Sequence, residues 1–449
     1  MKKAFYKTPE FIISAAGLLT LAGLYVFWCV TERNAPFYGR VSAFVCTALF
    51  AGVCLRFVPR WMAFWRRGTE PQADIGGEPP YIGVKIFLAF LAFEVFTLLL
   101  TYLIRCLFGF GSSFRDYLSF WTCADSAHYL DIARDWYLSQ GSMDRLVQLV
   151  FLPGYPLAVR LMHILVGNYL YSGLLVSALA FAFSGVVIYR LTRLDTDHEG
   201  ALRALKYLCL MPGAFFFTAP MSESLFLLLC ALCIYCARRD RWLLGCVFGA
   251  LASFTRSLGL MLFVPLFFEL VSSLSKGGKP RRALLRFAAL FLIPLGFGAY
   301  LGVNYAVSGD AFKFMTYQSE HWGQHMGLFF NTASYQLKEA VDCFGKDSHL
   351  LLGLWLPNLI CIFSSLAVML PGAKRLRPSY TAWFIAYYVI AVGATWLLSA
   401  PRYMTVLLPL PMALSALTKR ERTDNLLTVV MAAASLLYLI AFTLRWQVW

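Results

Sequence analysis

A polar, aromatic segment, whose centre carries three carboxylates, lies between two long apolar stretches of this chain, 84–107 and 168–191. Its centre reads Phe120-Trp-Thr-Cys-Ala-Asp-Ser-Ala-His-Tyr-Leu-Asp-Ile-Ala-Arg-Asp-Trp-Tyr137, and Phe151-Leu-Pro-Gly-Tyr-Pro156 follows it. A membrane span does not readily tolerate so many charged groups. A carboxylate-bearing loop held at a membrane face is suited to chemistry on a lipid-linked substrate, so this loop is the first candidate site.

Asp125 is the candidate catalytic base of this loop. The residues after it predict a short helix, on which His128 and Tyr129 share its face at the i+3 and i+4 positions, whereas Asp131 and Asp135 share another. The alternative is that Asp125 caps the helix by accepting backbone N–H bonds. The two roles are compatible, because a weak base suffices when the acceptor hydroxyl loses its proton late, in an oxocarbenium-like transition state.

Two arginines and a glutamate interrupt apolar sequence further along the chain. Arg256 divides the stretch 242–274, Arg402 lies between two predicted spans, and Glu223 lies in a tight turn. Cations at such depth are costly and usually face a cavity or a partner, with snorkelling to the interface as the alternative. Because a guanidinium binds phosphate oxygens in a bidentate manner, both arginines are candidate ligands for a lipid phosphate. Glu223 is a candidate ligand for sugar hydroxyls, with a helix cap or an interfacial charge as its alternative.

The sequence gives less support to a metal site. Asp195-Thr-Asp197 resembles the D-x-D motif of metal-dependent nucleotide-sugar enzymes, but it falls in a predicted inner loop, opposite Asp125. His321 and His325 would share one face and could ligate a metal if this segment is helical, but no third ligand accompanies them, so an ordinary interfacial role is the favoured alternative. We therefore expect no required cofactor, and a divalent metal stays an unsupported alternative. The predicted substrate-binding residues are His128, Tyr129, Tyr155, Glu223, Arg256, His321 and Arg402.

Composition places these residues in a polytopic membrane protein. Of 449 residues, 59% are hydrophobic and 14% are charged, and the mean hydropathy is +0.65. In soluble domains about a quarter of the residues are charged, and a membrane span needs about 20 mainly apolar residues. About thirteen segments are candidate spans: 11–30, 41–57, 84–107, 168–191, 203–219, 221–237, 242–255, 258–274, 284–306, 350–371, 379–398, 403–418 and 426–445.

The net charge of +15 is placed in a way that argues against a nucleic-acid partner. With the N-terminus inside, most lysines and arginines fall in predicted inner loops, which is the bias that orients membrane spans. These inner clusters include Lys2/Lys3/Lys7, Arg66/Arg67, Arg238/Arg239/Arg241, Lys279/Arg281/Arg282, Lys374/Arg375/Arg377 and Lys419/Arg420/Arg422. The same orientation puts Asp125, Glu223, Arg256, His321 and Arg402 together on the outer side.

We predict two parts of the chain, a transmembrane hairpin with an inner linker at 1–82 and a core at 83–449. The core has long outer loops at 108–167 and 307–349. Within the first loop, 155–166 is apolar but too short to span, so we expect it to lie along the outer interface or to dip in and return. No cleavable signal peptide is evident. A disulfide between Cys123 and Cys343, the two outer-loop cysteines, is left open.

Five ordered blocks between about 84 and 418 agree with a known family. They are Asp125-Ser-Ala-His-Tyr-Leu-Asp-Ile-Ala133, Phe151-Leu-Pro-Gly-Tyr-Pro-Leu157, Met211-Pro-Gly-Ala-Phe-Phe-Phe-Thr-Ala-Pro-Met-Ser-Glu-Ser-Leu225, Thr255-Arg-Ser-Leu-Gly259 and Ser399-Ala-Pro-Arg-Tyr403. Together they resemble the PIG-V-like mannosyltransferases of the membrane-embedded C class of glycosyltransferases. The family often has Trp immediately before its first-loop acid, where this chain has Ala124. The resemblance implies inverting transfer of mannose from a polyprenyl-phosphate donor on the outer or lumenal face, with Asp125 as that acid.

The sequence thus predicts an all-α, polytopic transmembrane bundle, glycosyltransferase C-like, that transfers a sugar from a polyprenyl-phosphate donor. The acceptor would be a glycan, lipid or protein, and the preferred location is a bacterial plasma membrane with the site facing outside. One alternative is a transporter or flippase of lipid-linked glycans, which predicts charges within the midplane of spans and repeat symmetry. Another is a glycan ligase. Transfer of a single sugar from a lipid donor would separate both alternatives from a glycosyltransferase.

Overall fold

The structure is a computed structural model that describes residues 8–67, 77–111, 113–138, 147–274, 280–394 and 399–448. Lys2, Lys3, Lys7 and Lys279 of the predicted basic clusters, and residues 68–76 of the predicted linker, lie outside these ranges. Within them the regular structure is helical, apart from an isolated β-bridge between Met326 and Ala394. The predicted all-α class is confirmed.

Within the described ranges, eight helices are long and apolar enough to cross a membrane, judged by length and composition. The predicted count of about thirteen is not confirmed. The eight segments are Pro9–Thr31, Phe37–Arg66, Ile82–Leu107, Tyr169–Thr192, Ser257–Leu274, Arg281–Ser308, Ser348–Gly372 and Glu421–Thr443.

The remaining predicted spans form shorter or interrupted helices. Their bounds are His198–Leu210, Glu223–Arg238, Trp242–Thr255, Pro378–Gly393, Ala400–Thr405 and Pro409–Leu417. Proline accounts for several of the breaks, because it lacks an amide hydrogen and disfavours helix in the residue before it. Pro212 follows one helix end, and Pro401 and Pro409 occupy the first turns of two short helices. These interruptions fall beside Glu223, Arg256 and Arg402, the residues that the sequence marks as costly.

The predicted N-terminal hairpin consists of the helices Pro9–Thr31 and Phe37–Arg67. It packs on the core: Trp28 Nε1 donates to Asn331 Oδ1 at 2.9 Å, and Ser42 Oγ donates to the Ala333 carbonyl at 2.8 Å. A boundary at residue 82 stays a prediction, and the second helix of the hairpin shares its apolar face with the rest of the bundle.

Both predicted outer loops contain helices of their own. The first loop holds Phe114–Tyr117, Leu118–Trp121, Asp125–Asp135, Val147–Val150 and Gly154–Val166, and the second holds Lys313–Trp322, Phe329–Cys343 and Ser348–Leu350. An apolar cluster that includes Trp121, Tyr155, Phe216 and Phe442 fixes the first loop between the bundle and the last helix. The helix Gly154–Val166 exposes Leu161, Ile164 and Leu165, an apolar face that a lipid interface would cover. Cys123 and Cys343 are both free thiols.

Candidate active site

A cavity of about 910 Å³ lies between the first-loop helix Asp125–Asp135 and the interrupted segments around Arg256 and Arg402. Six of the predicted site residues line it: Asp125, His128, Tyr129, Arg256, His321 and Arg402. Glu223 lies behind the wall and is 1% exposed. Tyr155 is fully buried away from the cavity, where its hydroxyl donates to the Gly173 carbonyl at 2.9 Å. The structure thus brings together residues that are almost 280 positions apart in sequence.

Asp125 points its carboxylate at an arginine and not at the backbone of its own helix. The residue in the N-cap position is Ala124, and Asp125 is the first helical residue. Its Oδ2 lies 2.5 Å from Arg402 Nη1, and the side chain is 33% exposed. Ala124 has a φ of 47°, a strained conformation for a residue with a Cβ, of the kind that often occurs at functional sites. The capping alternative for Asp125 is therefore not what the structure shows.

Glu223 is the buried centre of a charge network that extends to the cavity. Its Oε1 forms ion pairs with both Arg256 Nη1 and Arg402 Nε. Buried charges are tolerated when they are paired, and here two carboxylates and two guanidinium groups alternate as Asp125–Arg402–Glu223–Arg256. Glu223 therefore holds both arginines in place. It lies behind the wall of the cavity, whereas the predicted contact with sugar hydroxyls would require it to face the cavity.

Hydroxyl groups extend this network on the side of Arg256. Arg256 Nη1 donates to Ser222 Oγ at 3.0 Å, and the same Oγ lies 3.0 Å from the Tyr129 hydroxyl. Burial raises the pKa of Tyr129 to about 12, against the opposing effect of the Arg256 charge. The phenol therefore stays protonated at neutral pH and serves as a hydrogen-bonding group, while Asp125 is the carboxylate that faces the cavity.

Two glycines in the sequence blocks explain why these blocks meet at the site. A Cβ on Gly154 would lie 2.9 Å from the Cα of Thr255, so only glycine lets the first turn of the helix Gly154–Val166 approach Arg256 so closely. A Cβ on Gly213 would lie 2.7 Å from the carbonyl oxygen of Pro401, the residue before Arg402. The blocks that looked separate in sequence are thus packed directly against each other.

Of the three histidines that the sequence singled out, His128 and His321 line the cavity and His325 does not. His321 lies on the helix Lys313–Trp322 and lines the cavity. That helix ends at Trp322, so His325 lies beyond it and the condition for an i,i+4 pair, one continuous helix, is not met. His128 stacks on Phe151 with ring centroids 4.7 Å apart. Among the described residues, no three His, Cys, Asp or Glu side chains are grouped as metal ligands would be.

The Asp195-Thr-Asp197 motif is used structurally. Asp195 forms a bidentate ion pair with Arg238, with distances of 2.7 and 2.9 Å. Asp197 caps the helix His198–Leu210 by accepting from the Gly200 amide at 2.8 Å, and this bond holds the pKa of Asp197 below its usual value. Both carboxylates are therefore engaged within the protein.

Sequence reasoning missed an uncharged wall of the cavity. It consists of aromatic and amide side chains: Phe297, Tyr300, Phe314, Gln318, Trp322, Gln324, Trp355 and Gln447. Tyr300 carried a weak signal, because a hydroxyl in a predicted span needs a partner, and it donates to the Leu149 carbonyl at 2.6 Å. The rest resemble ordinary core or interface residues, and nothing in the sequence brings Gln447 to the site.

Residues 111–307 match the family model described as Mannosyltransferase (PIG-V). Over that stretch the chain is similar to this family, which agrees with the resemblance of the sequence blocks. The matched range contains Asp125, Glu223 and Arg256, and it ends before Arg402. The match indicates a glycosyltransferase, and the eight long apolar helices indicate an integral membrane protein.

Two solved structures are similar to this chain. ArnT from Cupriavidus metallidurans, bound to undecaprenyl phosphate, superposes with a TM-score of 0.47 and 13% identity, covering 80% of this chain and 75% of that one. The archaeal oligosaccharyltransferase AglB from Archaeoglobus fulgidus, in complex with an inhibitory peptide and a dolichol-phosphate, superposes with a TM-score of 0.39 and 13% identity, covering 80% of this chain. The chain spans 56% of the length of AglB. No curated protein sequence matches the chain.

Proposed function

We propose that this protein transfers a single sugar, mannose, from a polyprenyl-phosphate-linked donor to the hydroxyl of a glycan, lipid or protein acceptor, with inversion at the anomeric carbon. The observation that carries the proposal is the convergence of one partly exposed carboxylate, Asp125, and two buried guanidinium groups, Arg256 and Arg402, on one cavity. The match to the mannosyltransferase family model supports the choice of sugar transfer and of mannose.

The two arginines would bind the phosphate of the donor. Each guanidinium has five N–H donors, of which the ion pairs with Glu223 and Asp125 engage Nε and Nη1 of Arg402 and Nη1 of Arg256. The phosphate would be held by the other N–H groups of the same two side chains. Because Glu223 already fixes their positions, little side-chain entropy would be lost when the phosphate binds.

Asp125 would receive the proton of the acceptor. The acceptor oxygen attacks the anomeric carbon from the face opposite the phosphate, and the bond between this carbon and the phosphate oxygen breaks as the new glycosidic bond forms. The bonding electrons leave with the lipid phosphate, whose developing charge the guanidinium groups stabilise. The hydroxyl proton passes to the Asp125 carboxylate, which its ion pair with Arg402 holds in position.

Apolar residues of the same cavity support a lipid-linked donor. Leu258, Phe297 and Leu354 belong to its wall, together with the uncharged aromatic and amide groups. Such a wall suits a sugar ring and the first isoprene units of a lipid carrier. We place the cavity on the outer face of a bacterial plasma membrane, in contact with membrane lipid, because the basic clusters of the sequence favour that orientation.

The decisive experiment is transfer of labelled mannose by the purified protein in liposomes. We expect activity with polyprenyl-phosphate mannose and none with nucleotide-linked mannose. Asp125→Asn should lower kcat about 100-fold or more, the usual loss when a general base is removed. The matched control is Asp131→Asn, on the same helix, because Asp131 is paired with Arg134 and does not line the cavity.

Wild-type turnover by a well-folded Asp125→Asn protein would remove Asp125 from the proposed mechanism. Transfer of a whole glycan in place of one sugar would favour a ligase, and movement of the intact donor across the bilayer would favour a flippase. The same assay, repeated after treatment with EDTA, tests our expectation that no divalent metal is required.

A further inference from the structure

A second cavity of about 910 Å³ lies at the opposite end of the helices that frame the first. We call the first one the Asp125 cavity. The helix Glu223–Arg238 begins at its charge network, and Arg238 at the other end of this helix contacts Asp195, a wall residue of the second cavity. A helix of 16 residues is roughly 24 Å long, which separates the two cavities. We call the second one the Arg375 cavity, after the arginine in its wall.

Cationic side chains outnumber acidic ones in the wall of the Arg375 cavity. The cations are Arg203, Arg375, Arg377, Lys419 and Arg420, and the acids are Asp195 and Asp197. Both acids are already engaged, by Arg238 and by the Gly200 amide. Arg377 is paired with the buried Glu269 at 2.6 Å, and Arg203 lies 3.7 Å from Asp424.

The remaining three cations form no ion pair of this kind within the described residues, although Lys419 lies close enough to Asp197 to interact with its charge and Arg375 donates to the Ala416 carbonyl. In the described part of the chain, Arg375, Lys419 and Arg420 take part in no ion pair with a carboxylate. All three residues are exposed where they line the cavity. A concave site lined by one sign of charge concentrates the electrostatic potential, so this cavity attracts anions.

Three helices begin at the Arg375 cavity and add to its positive potential. They are His198–Leu210, Pro378–Gly393 and Glu421–Thr443, which contribute Gly200, Tyr380 and Thr423 to the wall. Asp197 caps the first of them, whereas no side chain of the described residues caps the other two. The start of a helix carries partial positive charge and presents unbonded amides, which makes it suitable for phosphate groups.

Thr192 supplies an independent observation. This residue lies in the wall, is 5% exposed, and its Oγ1 has no hydrogen-bond partner among the described residues. A buried threonine in a helix usually bonds a carbonyl of the preceding turn, as Thr97 and Thr101 do here. A hydroxyl without a partner beside a cationic cavity is a donor that a bound anion would satisfy once the Thr192 side chain turns toward it.

We propose that the Arg375 cavity binds a phosphate-bearing anion. The bias that orients membrane spans accounts for basic residues on this side of the protein, but it does not require them to meet three helix starts and a hydroxyl without a partner around one cavity. The phosphate has two sources, the headgroup of an anionic phospholipid in the adjacent leaflet or a free phosphate compound in solution. The proposal is independent of the function of the Asp125 cavity.

The experiment measures the melting temperature of the full chain by its tryptophan fluorescence. One arm titrates inorganic pyrophosphate into detergent-solubilised protein, and the other compares nanodiscs of phosphatidylcholine with nanodiscs that contain phosphatidylglycerol. The variant Arg375→Gln/Lys419→Gln should weaken pyrophosphate binding at least tenfold. Its control is Arg239→Gln/Arg241→Gln, which removes the same charge from the same side of the protein without touching the wall.

Thr192→Val keeps the side-chain volume and removes the hydroxyl, so it tests the site even where the double variant does not fold. We expect about tenfold weaker binding of pyrophosphate from this change, the usual effect of one hydrogen bond to a charged group. Stabilisation by pyrophosphate that the wall variants lose supports a free phosphate, and stabilisation by phosphatidylglycerol alone supports a lipid headgroup. The proposal is overturned when neither probe stabilises the protein, or when the control variant loses as much affinity as the wall variants.

Discussion

Glu223 shows how a buried residue can be found in a sequence while its partners are not. An acid in an apolar chain is costly, which is why the sequence singled out Glu223, Arg256 and Arg402. That they share a single carboxylate oxygen depends on helices that meet only in the folded protein. Sequence reasoning therefore predicted the charges of the site, and assigned Glu223 to sugar binding because the arginine pairing was invisible to it.

Replacing Glu223 by glutamine tests its role as the support of the two arginines. Glu223→Gln leaves two adjacent guanidinium groups with one less compensating charge in a buried environment, and we expect a loss of stability of about 3 kcal/mol. The Michaelis constant for the lipid donor should rise as well, because the arginines lose their fixed positions. Thermal and denaturant unfolding in detergent, together with donor titrations, measure the two effects.

Asp131→Asn again provides the comparison for stability, because the Asp131–Arg134 pair is exposed at the surface. Such pairs contribute about 1 kcal/mol or less. Equal stability of the Glu223→Gln and Asp131→Asn proteins would contradict the structural role that we assign to Glu223.

At the scale of elements, the sequence predicted the helical class and the long spans but not the breaks. Hydropathy treats 203–219 and 403–418 as continuous, whereas prolines divide both into a helix and a turn or into two short helices. A further break lies at Arg256, where extended backbone with φ −149° and ψ 138° interrupts the apolar stretch 242–274 beside the cavity. The aromatic wall was missed because aromatic side chains of a cavity and of a core have the same pattern in sequence.

The first turn of the helix Gly154–Val166 packs closely against the segment that carries Arg256. In Gly154→Ala the new Cβ would meet the Thr255 backbone at 2.9 Å, so either the turn or the segment that carries Arg256 must shift. We expect a stability loss of about 1–3 kcal/mol and a larger relative loss of transfer activity.

Gly302→Ala is the matched control for this element, because in the helix Leu292–Ser308 no atom of the described part of the chain lies within 4 Å of the added Cβ. Alanine has the higher helix propensity, so this protein should be as stable as the wild type or slightly more stable. An unchanged melting temperature and rate for Gly154→Ala would mean that the two sequence blocks are not coupled by their contact.

The whole molecule places its two cavities at opposite ends of shared helices, and the distribution of basic residues predicts which end faces outward. Lys346 lies on the second loop, near the helix whose Leu350 and Leu354 line the Asp125 cavity. Arg239 follows the opposite end of the helix that begins at Glu223. In intact cells, a membrane-impermeant maleimide should therefore label Lys346→Cys, and it should label Arg239→Cys only after permeabilisation.

Both cysteine variants are made in a Cys106→Ser background, because Cys106 is an exposed native thiol in the described residues. The physical reason for the expected sidedness is that positively charged short loops are retained on the cytoplasmic side during insertion. Labelling of Arg239→Cys from outside would mean that the protein has the opposite orientation, with the Asp125 cavity facing the cytoplasm. In that orientation a nucleotide-linked sugar becomes accessible to the cavity, so the sidedness experiment and the donor comparison test the same assignment from two directions.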